Sequence, residues 1–206
     1  LLNARNSYSV GKRAAETLCA SYADEYGVEY AWGETKIKST NNWKNYSLCN
    51  YANTNSETCS PLFYKGAPNQ TLLLKYCISP DYGIPDNRIN LLPEDDAATV
   101  SLGDGWRLPT EKEWYELLEN TSAIYVANHN QTGMSGIQLT GKKIGYTDKC
   151  IFLPMKPSNI DNYQFYWSST LCGNSGQAYC FYFSRTYNSN FGGTERANAN
   201  PIRPVF

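Results

Sequence analysis

The segment AYCFYFS (178–184) packs four aromatic rings into seven residues, and the two-residue period of a strand divides them between two faces. Tyr179, Phe181 and Phe183 share one face, which has to be covered by a core. Cys180 and Tyr182 lie on the other and are expected to point outward. An outward cysteine in the middle of a strand is unusual, because exposed thiols oxidise. The strand belongs to a C-terminal stretch that opens on YWSST (166–170) and closes on IRPVF (202–206). This stretch holds nine aromatic residues and no lysine, and its charges are Arg185, Glu195, Arg196 and Arg203. Tyr, Arg, Ser, Gly and Asn are the residue types of recognition surfaces, where rings give contact area at low entropy cost and small polar groups adapt. With no histidine and no paired carboxylates, the stretch lacks the usual acid–base groups. It reads as a binding face.

Upstream the signals are helical first and extended later. Ala14, Ala15, Leu18, Cys19 and Tyr22 recur at helical spacing, with Gly27 able to end that segment. YAWGET (30–35) reads as a short aromatic strand, 36–70 as a polar surface insertion, and SPDYGIPDN (79–87) as a turn cluster. One helix is expected near 93–102, with Pro93 at its start, Glu94, Asp95 and Asp96 in its first turn and Gly103 beyond its end. A second, near 110–120, opens on a capping box of Thr110 and Glu113 and carries Trp114, Leu117 and Leu118 on one face. From Ile137 the pattern changes to short strands: GIQLT, CIFLP, FYWSS, AYCFYFS and NPIRPVF. Helices followed by a mainly antiparallel strand set give an α+β domain, here a single domain over 1–206.

Composition narrows the partners. A formal net charge of −1 gives no electrostatic case for nucleic acid or an anionic membrane. No apolar run reaches the ~20 residues of a membrane span. High aromatic and low charged content point to a loop-rich extracellular protein, and a chain opening on Leu1 fits a removed leader, hence a secreted or surface location. The seven cysteines (19, 49, 59, 77, 150, 172 and 180) contain no C-x-x-C, and His129 is the single histidine, so no metal template is present. Cys49 and Cys59, and Cys172 and Cys180, flank short segments and could form disulfides; the alternative is buried free thiols. Glu94, Asp95 and Asp96 could hold calcium, but a helix N-terminus accounts for them first. His129, in the polar run ANHNQTG, is assigned no chemistry. Arg107 and Arg203 are expected to make buried hydrogen bonds.

Six ordered segments then fall into a pattern: YAWGET, PEDDAA (93–98), GDGWRLPTEKEW (103–114), IFLP (151–154), YWSST and IRPVF. Over about Tyr26–Phe206 the chain resembles a paralogous domain family of Fibrobacter and Bacteroides surface proteins. It also resembles the variable proteins of diversity-generating retroelements and, at WRLPTEKEW, the formylglycine-generating enzymes. The resemblance implies a C-type lectin-like fold, with 1–25 and 36–70 as extension and insertion. It implies a surface-displayed module that binds a protein or glycan ligand without cofactor or catalysis, through Asn174, Ser175, Cys180, Tyr182, Arg185, Tyr187, Asn188, Asn190 and Phe191. In the retroelement group, AAC-type codons are randomised and cannot yield Lys, Glu, Gln, Met or Trp. Those types make up about a sixth of the chain, yet 178–206 holds one of them, Glu195. Cys180 would then be an outward residue drawn at random. The alternatives are a copper oxidase of the formylglycine-generating kind working through Cys172 and Cys180, although the R-G-G-S-W signature is missing, and a structural domain of a surface or pilus protein.

Overall fold

The computed structural model describes residues 28–50, 72–103, 105–159, 162–186 and 189–206. In chain order the elements are β1 (Glu29–Tyr30), β2 (Cys49–Asn50), β3 (Leu72–Leu73), α1 (Ala97–Leu102), α2 (Glu111–Asn120), β4 (Thr121–Val126), β5 (Gly136–Gly141), β6 (Cys150–Pro154), β7 (Gln164–Leu171), β8 (Gln177–Phe183), β9 (Asn190–Glu195) and β10 (Asn200–Pro201). They build two three-stranded antiparallel sheets, β4-β5-β6 and β7-β8-β9, and two short antiparallel pairs, β1 with β10 and β2 with β3. The protein is therefore α+β and mostly antiparallel, with two α-helices among the described residues.

The expected helix near 93–102 divides in two. Residues Pro93–Asp95 form a 3-10 turn, and α1 starts afresh behind Asp96. The Asp96 carboxylate accepts hydrogen bonds from Ala98 and Thr99 N–H at the helix start and from Leu108 N–H (2.8 Å) of the following segment. One buried side chain thus ties α1 to the chain that leads into α2. Asp95 is bound by Lys75 Nζ and by the Tyr76 hydroxyl. Of the three acidic residues expected at a helix start, Asp96 caps α1, whereas Asp95 is held by side chains and Glu94 lies 3.6 Å from Lys75 Nζ.

At α2 the capping box forms as the sequence implies. Thr110 Oγ1 accepts from Glu113 N–H (3.3 Å), and Glu113 Oε2 accepts from Thr110 N–H (2.8 Å). Arg107 departs from expectation. Its guanidinium is half exposed and grips Glu113 with both Nη atoms at 2.7 and 2.6 Å, holding that carboxyl at about 2, far below its ordinary value. Arg203, also expected in a buried bond, is only partly buried, and its side chain makes no hydrogen bond or ion pair among the described residues. The expected sheet begins earlier than residue 135, because TSAIYV turns directly out of α2 into β4.

Two clusters share the β7-β8-β9 sheet between them. On one face Phe181, Phe183, Tyr166 and Phe191 pack with Trp114 of α2 and with Ile137, Leu139 and Leu153 of the other sheet. The Trp114 and Phe181 rings are stacked 4.8 Å apart. On the opposite face Trp167, Ala178 and Cys180 pack against Trp32, Tyr76, Ala98 and Leu108. Trp32 Nε1 donates to Ser168 C=O and Trp167 Nε1 to Tyr30 C=O, each at 2.8 Å, which fixes the early chain on this face. Part of the expected polar insertion is core too, since Trp43, Tyr46 and Cys49 form a third cluster with Leu73 and Ala197. The sequence signals at 14–22 and within 51–70 lie outside the described residues.

Truncating Phe181 to Ala should cost about 3–5 kcal/mol of unfolding free energy, since it empties the layer between α2 and both sheets. Ile124→Ala, on the solvent side of β4 at 60% exposure, should change stability by less than about 0.5 kcal/mol. Urea denaturation followed by tryptophan fluorescence measures both.

Candidate functional site

Register on β7-β8-β9 decides what the second face offers. Phe165 lies opposite Tyr182, Trp167 opposite Cys180, and Tyr182 opposite Asn190. Trp167 and Cys180 are sealed under Trp32 and Leu108, but the cover stops short of the Phe165–Tyr182 end. There Tyr182 and Phe165 are partly exposed, and Tyr163 is 40% exposed. Their centroids lie 5.4 Å (Tyr163–Tyr182), 5.6 Å (Phe165–Tyr182) and 6.2 Å (Tyr163–Phe165) apart. A Cβ at Gly192 would come within 3.2 Å of Tyr182 Cε1, so glycine lets that ring lie close over β9. Arg185, exposed and without a salt bridge among the described residues, follows just beyond β8. The result is a small, partly exposed aromatic cluster at this end of the sheet.

Of the nine residues expected at a binding face, the seven that are described do not come together as one surface. Tyr182 stays at its edge, Arg185 and Asn190 are exposed, and Asn174 is partly buried. Cys180 and Ser175 are wholly buried, and Phe191 is nearly so. Cys180 was expected outward. Alternation across β8 holds, but both faces of the strand are covered, so the thiol points into the second cluster and donates to Gly192 C=O (3.3 Å). Ser175 is structural, its Oγ accepting from Ile78 N–H and its carbonyl from Arg196 Nη1. Phe191 packs on Tyr179 and Tyr115. Tyr187 and Asn188 lie outside the described residues.

Two ring positions escaped the sequence reading, Tyr163 and Phe165. Their signal was available: Tyr163, Phe165 and Trp167 alternate in NYQFYW just as Cys180 and Tyr182 do in β8.

Two of the described thiols, Cys49 and Cys180, are buried and hard to ionise. Cys49, Cys77, Cys150, Cys172 and Cys180 are free, so of the two readings offered for Cys172 and Cys180 the free-thiol one holds; Cys59, the possible partner of Cys49, lies outside the described residues. Burial pushes the Cys180 thiol up to about 12 and that of Cys49 to about 11. No group of three or more His, Cys, Asp or Glu side chains among the described residues could hold a metal. No helix among them is long and apolar enough to cross a membrane. Comparison with family models, curated proteins and solved structures finds no match for this chain.

Alkylation of the native protein at pH 8, read by peptide mass mapping, should label exposed Cys150 first and leave Cys180, Cys77 and Cys49 unmodified until denaturant is added. Early labelling of Cys180 would mean that the second face of β8 is open.

Proposed function

We propose that the protein is a ligand-binding module of C-type lectin-like fold, displayed on a surface and recognising a protein or glycan through the C-terminal half of its chain. The observation that carries this reading is the partly exposed cluster of Tyr163, Phe165 and Tyr182 on a sheet backed by core, with exposed Arg185 three residues after Tyr182. Tyr and Arg on a fixed scaffold are the residues that most often anchor binding energy. The order of elements is compatible with that fold: after three short strands come two helices and then two antiparallel three-stranded sheets. The buried thiol of Cys180, which burial makes hard to ionise, speaks against an oxidase working through that residue.

The structure changes how a diversified segment would be read. Cys180 is core, so its presence no longer calls for random sampling. The shortage of Lys, Glu, Gln, Met and Trp in 178–206 also fits a strand buried on both faces, where Ala178, Phe181, Phe183 and Phe191 must be small or apolar. Arg185, Thr186 and Asn190 are the exposed positions from 178 to 190 among the described residues, and these could vary without disturbing the core. If a retroelement acts on this segment, sequences of the locus from many isolates should vary at these positions and hold Phe181, Phe183 and Arg196 constant.

Binding is tested by screening the protein on glycan and surface-protein arrays, then measuring the strongest hit against variants. Tyr182→Ala should weaken it by about 30-fold, the loss of a 2 kcal/mol anchor, with the fold retained. Ile124→Ala, on the other sheet, should bind as the parent does. Equal affinity of folded Tyr182→Ala and parent would remove the aromatic cluster from the site.

A further inference from the structure

The β7-β8-β9 sheet is closed along one edge, and along the other no described strand pairs with it. At the β7 edge, Ser169 N–H donates to Pro109 C=O (2.8 Å), Leu91 N–H to Ser169 C=O (2.9 Å) and Leu171 N–H to Ile89 C=O (2.7 Å). At β9 the register determines which groups face away. Arg196 N–H donates to Gly176 C=O, and the pairing continues Thr194↔Ala178, Gly192↔Cys180 and Asn190↔Tyr182, so these residues direct their backbone groups toward β8. Phe191, Gly193 and Glu195 direct theirs outward. Phe191 N–H is taken by Asn190 Oδ1 (2.7 Å), and Glu195 C=O by Asn198 N–H (3.0 Å). Phe191 C=O, Gly193 N–H, Gly193 C=O and Glu195 N–H make no hydrogen bond among the described residues. Along the strand they run acceptor, donor, acceptor, donor, the complement of an extended backbone.

Sheet edges are ordinarily guarded by lysine, proline or a bulge. β9 reads NFGGTE, has neither residue, and pairs with β8 without a shift of register. Gly193 is exposed, and a Cβ there would come within 2.8 Å of Cys172 Sγ, so this point of the edge is kept free of side chain. Beside it Tyr115 of α2, 46% exposed, lies 4.8 Å from the Phe191 ring and offers an apolar seat. Glu111, at the start of α2, and Glu195 make no ion pair among the described residues.

We propose that the β9 edge is a strand-addition site for an extended segment of a partner protein, its backbone pairing with Phe191, Gly193 and Glu195. The segment carries an apolar side chain against Tyr115 and a basic one toward Glu111 and Glu195. This edge is a different surface from the aromatic cluster, and it binds backbone rather than side chains. The two proposals stand or fall separately.

The test starts from a phage-displayed library of random ten-residue peptides, selected on the folded chain. The best peptide is resynthesised with single backbone N-methyl groups at each position. Strand addition predicts losses of about tenfold or more at every second position, with little change between them. On binding, the Gly193 and Glu195 amides should become protected from hydrogen exchange. Asn190→Ala frees Phe191 N–H for the incoming strand and should tighten binding several-fold. Gly193→Pro in a Cys172→Ala background, which makes room for the ring, should abolish binding relative to Cys172→Ala alone. Should that double variant not fold, the N-methyl scan and Asn190→Ala carry the test. Failure to select any peptide, N-methyl losses without the two-residue period, or unchanged exchange at Gly193 would each overturn the proposal. So would a dimer whose Gly193 protection falls on dilution, which assigns the edge to a second copy.

Discussion

Arg196 holds together parts of the chain that are far apart in sequence. It is fully buried, yet no carboxylate among the described residues pairs with it. Its guanidinium instead donates to Tyr46 Oη from Nε, to Tyr76 and Ser175 carbonyls from Nη1, and to Lys75 C=O from Nη2, each at 3.0 Å. It also lies over the rings of Trp32 (4.9 Å), Tyr46 (5.4 Å) and Tyr76 (5.8 Å). Burying a cation is costly unless its donors are met, and here four acceptors and three ring faces meet them. Tyr46 completes the set by donating to Trp32 C=O (2.5 Å). Segments near 32, 46, 75–76 and 175 thereby converge on one side chain from the C-terminal stretch.

That convergence stabilises an otherwise unfavourable backbone. Tyr76 sits at φ 58, a left-handed conformation that a bulky residue adopts at a cost of about 1–3 kcal/mol. Every polar group around it is held. Arg196 binds its carbonyl and that of Lys75, Asp86 Oδ2 accepts its N–H, and its hydroxyl donates to Asp95 while accepting from Leu92 N–H (2.8 Å). Asp86 further accepts from Cys77 and Arg88 N–H, which draws its carboxyl below the ordinary range despite partial burial. The Pro/Gly/Asp-rich segment at 79–87 is thus clamped at both ends. Tyr76, held in this way, packs with Trp32 and Leu108 over the second face of β8 and makes Cys180 a core residue.

Local signals were legible where the physics is local. The Thr110–Glu113 capping box needs only residues three apart, and the alternation in AYCFYFS correctly assigned side chains to faces. What the alternation does not encode is whether a second layer lies over the polar-looking face. Trp32, Tyr76 and Leu108 supply that layer from 70 or more positions away. β9 was missed because Gly192 and Gly193 leave NFGGTE without a strand-like pattern; its place is set by pairing with β8. Arg196 looked like one more charge on a recognition surface. Its burial follows from carbonyls and rings brought together by tertiary structure, which no spacing in the sequence announces.

The clamp is most directly tested by equilibrium urea unfolding of Arg196→Lys and Arg196→Met against the parent. Lysine keeps the charge but cannot reach four acceptors in the planar fork of arginine, and methionine leaves buried carbonyls unpaired. Both variants should lose about 3 kcal/mol or more, with lysine failing to rescue. A loss below about 1 kcal/mol in either, with cooperative unfolding preserved, would contradict the role given to Arg196.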